Sequence, residues 1–163
     1  MRLTVYTDYS LRLLIYAALR ADGLITINEV AEAYGISRNH LTKVVHQLGL
    51  AGYLETVRGK GGGLRLARRP ESIRIGDVIR QTEPDAALTP CFKPIEAHCA
   101  IFPGCLLKGA LQEAREAFFR VLDSYTLADL AAPGARLRSM LGMPVVSGKV
   151  KVPQPAGLPS PGV

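Results

Sequence analysis

The chain has 163 residues, 48% hydrophobic and 21% charged, with three cysteines and a formal net charge of +6 at pH 7. That length suits one domain with an appendage, and it holds neither an apolar run long enough to span a bilayer nor the basic, apolar and small-residue order of a signal peptide. An odd number of thiols argues against a disulfide framework and for a reducing, cytoplasmic setting, in which clustered cysteines bind metal or do redox chemistry.

The charge is unevenly spread: residues 1–69 carry ten Lys/Arg against five Asp/Glu, 70–132 six against nine, and 133–163 four against none. A basic N-terminal module attracts the phosphate backbone whatever its sequence, with an affinity that falls as salt rises. Charge alone does not make a DNA-binding protein, so the elements must supply the rest.

The first predicted helix covers 7–20, with Tyr9, Leu13, Leu14, Ile15, Tyr16 and Ala17 on a broad apolar face. Asp8 and Arg12 stand four apart near its start, a spacing that by itself reads as a surface ion pair. Thr26 and Glu29 form a capping box for a second helix that runs to Tyr34 and breaks at Gly35. Ser37 is expected to cap a third helix over 37–50, which buries Leu41, Val44, Val45 and Leu48. That leaves Arg38, Asn39, His40, Thr42, Lys43, His46 and Gln47 free.

Two helices joined by a glycine turn match the helix-turn-helix pattern, whose second helix enters the major groove. Arg and Lys suit guanine there, and Asn or Gln adenine. Segments 53–58 and 64–67 alternate like strands around Gly59, Lys60, Gly61, Gly62 and Gly63, which predicts a hairpin wing. Arg58, Lys60 and Arg65 bring charge to it. A nucleotide-binding loop is disfavoured, because no Ser or Thr follows the lysine and no helix opens there.

A short helix over 76–83 follows. From 84 to 104 prolines and cysteines replace any regular period, and seven residues separate Cys91 from Cys99 and five separate Cys99 from Cys105. Three soft thiolates on one loop make a plausible face for an iron–sulfur cluster, zinc or Cu(I). Zinc would draw on His98, but its adjacency to Cys99 suits a closed zinc site poorly. From 106 onward Leu107, Leu111, Ala114, Phe118, Val121 and Tyr125 recur at intervals of four and three, a heptad seam of the kind that makes a two-fold dimer. Thr126 and Asp129 box the start of a last helix over 126–132, and the Pro- and Gly-rich stretch 133–163 is expected to be a disordered tail.

Five separated stretches extend the argument: Met1-Arg2-Leu3-Thr4 with Thr7-Asp8-Tyr9, Ile36-Ser37-Arg38-Asn39-His40-Leu41-Thr42-Lys43, Val57-Arg58-Gly59-Lys60-Gly61-Gly62-Gly63, Ile73-Arg74-Ile75-Gly76-Asp77-Val78 and Tyr125-Thr126-Leu127-Ala128-Asp129-Leu130. In this order they resemble the NsrR-like nitric-oxide-sensing repressors of the winged-helix family that also contains the cluster-assembly regulator IscR. The resemblance covers about residues 1–132. It implies a homodimeric repressor that holds operator DNA with inverted half-sites, is not an enzyme, and carries an iron–sulfur cluster on Cys91, Cys99 and Cys105. It also implies Asp8 of the other subunit as fourth ligand, with Arg12 orienting it.

Two departures stand out. The gap between Cys91 and Cys99 is longer than usual for that family, so the loop is expected to bulge. The histidine that IscR-like members place after the third cysteine is replaced by Leu106, Leu107 and Lys108, which argues against their ligation.

The expected fold is mainly α with a small β-hairpin wing. A winged helix-turn-helix over 1–69 is followed by a short helix and cysteine loop over 70–105, a dimerisation helix and short terminal helix over 106–132, and the tail. A four-iron centre is preferred to a two-iron one. The expected function is operator release on attack by nitric oxide, with sensing of iron or cluster supply as the alternative.

Overall fold

The structure is a computed structural model that describes residues 2–20, 23–83, 88, 89, 92 and 104–143. Its architecture is the expected one, mainly helical with one two-stranded hairpin among the described residues.

Helix α1 (Val5–Leu19) begins two residues before the expected start because Thr4 caps it, its hydroxyl accepting from the Thr7 N–H at 3.2 Å. Its Leu13, Leu14, Tyr16, Ala17 and Leu19 are all buried, and it touches α2, α3, α4, α6, α7 and the hairpin. A helix with apolar residues on most of its circumference has to be the centre of the domain.

Helix α2 (Ile27–Tyr34) carries the capping box, with the Thr26 N–H donating to Glu29 at 2.6 Å and the Glu29 N–H to the Thr26 hydroxyl at 3.2 Å. Gly35 ends it at φ 63°, a left-handed conformation that a side chain would strain, and the turn places Ile36 in the core. Helix α3 (Arg38–Leu50) buries Leu41, Val44 and Leu48. Val45, expected in the core, is only half-buried, since it lies at the edge of that stripe. Ser37 occupies the cap position, but its hydroxyl makes no capping hydrogen bond.

Strands β1 (Leu54–Val57) and β2 (Gly63–Leu66) pair antiparallel, with Leu54 opposite Leu66 and Val57 opposite Gly63. The wing is fastened to the helices by an isolated bridge: the Ile25 N–H donates to Leu64 O at 2.9 Å and the Leu64 N–H to Ile25 O at 2.8 Å. Gly63 permits this approach, because a Cβ there would lie 2.6 Å from the Ile25 carbonyl oxygen.

After a single turn at Pro70–Ser72, α4 (Ile75–Thr82) turns Ile75, Val78, Ile79 and Thr82 inward. Helix α5 (Leu106–Asp123) is 18 residues long, about 27 Å at 1.5 Å per residue, yet buries only Phe119. It is held to α4 at its C-terminal end, where Arg80 donates to both Asp123 oxygens at 2.8 and 2.6 Å and lies 4.5 Å over the Phe119 ring. The paired hydrogen bonds raise the Arg80 pKa and hold the Asp123 carboxyl below its ordinary value.

Helix α6 (Leu127–Ala131) opens with the expected Thr126–Asp129 box and buries Leu127. One expectation is corrected: the tail does not begin disordered at 133, since α7 (Gly134–Met140) follows and Met143 is buried. The Arg138 guanidinium donates to the Leu19 carbonyl oxygen at 2.8 Å, satisfying one of the unpaired carbonyls at the end of α1 and giving this segment a fixed seat. Residues 144–163 lie outside the described set. No described helix is long and apolar enough to cross a membrane.

Candidate nucleic-acid interface and metal-ligand residues

Helix α3 leaves Ser37, Arg38, Asn39, His40, Thr42, Lys43 and His46 exposed together. The burial of Leu41, Val44 and Leu48 causes this: once that stripe faces α1 and the hairpin, the other residues have only solvent to face. The Thr42 hydroxyl donates to the Arg38 carbonyl oxygen at 2.9 Å, so its side chain folds back along the helix. His40 is the exception on the free face, since its ring lies 6.1 Å from that of Tyr9 on α1.

On the wing, Arg58 and Lys60 stand exposed at the turn. Arg65 lies opposite Glu55 in the hairpin and pairs with it, both side chains about half exposed. An arginine engaged this way offers less free charge to phosphate than Arg58 or Lys60. Arg68, behind the wing, is spent on the fold: it donates to the Ala51 carbonyl oxygen at 3.1 Å and stacks 5.0 Å over Tyr53.

Asp8 and Arg12 do form the pair that their spacing suggests, Arg12 Nε donating to Asp8 Oδ1 at 3.0 Å. The sequence did not suggest what lies beyond it. Arg12 also sits 5.7 Å over the ring of Tyr34, the last residue of α2 before the turn. Burial pushes the Tyr34 hydroxyl above its ordinary pKa, with the Arg12 charge pulling it back in part. The first turns of α1 thus touch both sides of the helix-turn-helix, Tyr34 through Arg12 and His40 through Tyr9. The only sequence signal for this was the aromatic character of residues 9 and 34.

Cys105 is half-buried immediately before α5 and makes no capping hydrogen bond. Cys91 and Cys99, and His98 beside them, lie outside the described residues. Among the described residues no three His, Cys, Asp or Glu side chains gather. The fit to a cluster therefore rests on donor chemistry: a half-buried thiol directly before α5 and a carboxylate still 47% exposed, both of them donors that iron takes.

A polar knot at the base of α1 was not foreseen either. Glu83 Oε1 accepts from the Thr4 N–H at 2.6 Å, the Thr4 hydroxyl at 3.0 Å and the Thr7 hydroxyl at 2.6 Å. Burial pushes the Glu83 carboxyl up, but the bonds from Thr7 and from the Thr4 backbone and hydroxyl outweigh it and hold its pKa below the ordinary value.

Much of the seam of α5 stays uncovered among the described residues. Leu107 is 64%, Val121 59% and Tyr125 41% exposed, Ala114 is exposed, and Leu111 and Phe118 are half-buried. Leu106 beside them is 90% exposed.

Comparison with known proteins matches residues 3–133 to the family described as Rrf2, iron-dependent transcriptional regulator. The chain is 50% identical over 142 residues to the HTH-type transcriptional regulator NsrR of Geobacillus kaustophilus, covering 86% of this chain and 97% of that one. It is 49% identical over 144 residues to the NsrR of Bacillus subtilis, covering 88% and 99%. Among solved structures, the global cysteine regulator CymR of B. subtilis superposes with a TM-score of 0.68 at 27% identity, over 82% of this chain and 98% of that one. The IscR of T. potens gives 0.67 at 27% identity, over 83% and 90%.

Proposed function

We propose, on the premise that this chain belongs to the Rrf2 family of transcriptional regulators, that it is a homodimeric iron–sulfur repressor that holds operator DNA while its cluster is intact and releases it when nitric oxide attacks. Cys91, Cys99 and Cys105 would hold the cluster, a four-iron one, with Asp8 of the other subunit as its fourth ligand. A carboxylate donates less strongly than a thiolate, so the iron it holds is the one most open to a small diatomic molecule.

One observation supports this reading above the rest: Asp8 sits on the turn of α1 that reaches both ends of the helix-turn-helix. Its carboxylate is bonded to Arg12, Arg12 lies over Tyr34, and the neighbouring Tyr9 ring faces His40 on α3. Asp8 held by the partner subunit fixes that turn, and with it the separation of the two α3 helices across the dimer. Asp8 released lets Arg12 and Tyr9 shift, and α3 loses its setting. Such linkage carries a coupling free energy of roughly 1–3 kcal/mol, a change in affinity of one to two orders of magnitude.

In this reading α3 enters the major groove with Ser37, Arg38, Asn39, His40, Thr42, Lys43 and His46 at its near face, while Arg58, Lys60 and Arg65 of the wing meet the backbone. The exposed seam of Leu107, Leu111, Ala114, Phe118, Val121 and Tyr125 makes the two-fold contact, which suits inverted half-sites.

The test is the visible spectrum of anaerobically purified protein, with iron and sulfide counted, during stepwise addition of nitric oxide in the presence of operator DNA. Bleaching that tracks loss of DNA binding is the expected result. A colourless, zinc-loaded protein that still binds DNA would sink the cluster. The family's description as iron-dependent favours a second reading, sensing of iron or cluster supply. A cluster indifferent to nitric oxide but lost to chelators, with a change in DNA binding, would select it.

A further inference from the structure

We propose that Glu83 is the positioning residue that holds Asp8 in place for the cluster, by bonding the first turn of α1 from the root of the cysteine-bearing segment. This rests on the reading of Asp8 as a ligand.

The first turn of any helix has N–H groups without intrahelical partners, and it frays unless something engages them. Here the N-cap residue is held twice by a carboxylate from 79 positions away, through the Thr4 N–H and its hydroxyl. Thr7, directly before Asp8, is fully buried and gives its hydroxyl proton to the same oxygen. Each hydroxyl has one proton, and an ionised carboxylate is the strongest acceptor in reach, so both threonines turn toward Glu83. Buried Thr82 completes the knot, its hydroxyl 2.9 Å from both Thr7 Oγ1 and the Val78 carbonyl oxygen.

Apolar residues would pack these positions at lower desolvation cost. What the polar version adds is direction: three short bonds converge on one oxygen and define where residues 4–8 sit. Glu83 closes α4 in an extended conformation, so the chain that goes on to Cys91 leaves from the knot itself. The carboxylate therefore sets the first turn of α1, the turn from which Asp8 is offered to the partner subunit's cluster. Asp8 is tied to this knot through the backbone, its N–H donating to the Thr4 carbonyl oxygen at 3.1 Å and its chain neighbour Thr7 bonding Glu83, while its side chain is bonded to Arg12.

The test is a double-mutant cycle on the full-length protein. Cluster-loaded wild type, Glu83→Ala, Asp8→Ala and the double variant are compared by visible circular dichroism and by the rate of absorbance loss after one equivalent of nitric oxide. Amide hydrogen exchange of residues 4–12 is measured on the cluster-free forms.

The expected result is a shared change in the dichroism of both single variants, and a double variant that reacts within about twofold of Asp8→Ala alone, the scatter of non-interacting measurements. Exchange at residues 5–8 is faster in cluster-free Glu83→Ala. Glu83→Gln keeps an acceptor oxygen and falls between wild type and Glu83→Ala. Thr7→Val removes one hydroxyl without changing shape and serves if Glu83→Ala does not fold. Rates that multiply in the double variant, or unchanged exchange at residues 5–8, overturn the proposal. An altered Asp8→Ala beside a silent Glu83→Ala overturns the knot alone, whereas an Asp8→Ala identical to wild type overturns the ligand reading on which it rests.

Discussion

Replacing Val121 with Glu tests whether the bare face of α5 is the two-fold contact. Val121 keeps 59% of its surface exposed among the described residues, so a glutamate there can reach solvent in the monomer. Full burial of a valine side chain is worth about 2 kcal/mol, so covering the remaining fraction contributes about 1.2 kcal/mol. A two-fold axis doubles this to about 2.4 kcal/mol, roughly fifty-fold in the dimer dissociation constant. Two carboxylates facing each other in that contact add a desolvation and repulsion cost, so the dimer dissociation constant should rise by at least about a hundredfold. Sedimentation velocity over a concentration series reads the constant, and far-ultraviolet dichroism at matched concentration reads the fold. Operator affinity should fall with dimer population, because half-sites are bound together or poorly. A dimer constant within threefold of wild type, or a variant unfolded at all concentrations, would refute the assignment of the seam.

Other expectations follow from the geometry of the wing, the charges and the last helix. Gly63→Ala forces the Ile25 bridge open, because the new Cβ meets the Ile25 carbonyl oxygen at 2.6 Å. Loss of its two hydrogen bonds should cost about 2 kcal/mol and lower Tm by roughly 5–10 °C, and an unchanged melting curve would contradict that fit. Lys43→Ala and Lys60→Ala should each reduce the slope of log affinity against log salt by about one if the lysine meets a phosphate, and a change confined to one base position would instead mark base contact.

The carboxyls of Glu83 and Asp129 both have pKa values below their ordinary 4.5 and 3.8, Glu83 through the bonds that outweigh its burial and Asp129 through the Thr126 N–H and hydroxyl. Their contribution to stability is complete above those ordinary values and is lost as pH falls through the lowered ones. Tm measured from pH 7 to pH 3 should drop on the acid side, and Glu83→Gln or Asp129→Asn should flatten that drop. Met143→Ala should cost roughly 2–4 kcal/mol despite its place in a Pro-rich stretch, because the side chain is buried, and chemical denaturation reads the difference.

What the sequence determined by itself is the set of features that depend on near neighbours. Helical periodicity in 38–50, the capping boxes of Thr26–Glu29 and Thr126–Asp129 and the glycine break at 35 each act within one or two turns of chain, so residue order suffices to see them. The exposed polar face of α3 follows from the same periodicity, since the residues off its apolar stripe have no other place to go, and the apolar seam of α5 is read from the same spacing. The ion pair of Asp8 with Arg12 is legible for the same reason, being four residues apart on one helix.

Tertiary structure decided everything that depends on distant partners. Nothing near Glu83 in the sequence points to Thr4 and Thr7, and nothing near Arg138 points to the end of α1, which is why a segment rich in Pro and Gly reads as a tail until Leu19 offers it a carbonyl oxygen. Tyr9 reads as part of the apolar face of α1 and Tyr34 only as the end of α2, yet the folded chain sets them against His40 and Arg12. Such contacts form only when burial of the α1 core has already met the entropy cost of bringing remote chain together, and no local propensity encodes where that collapse will place them.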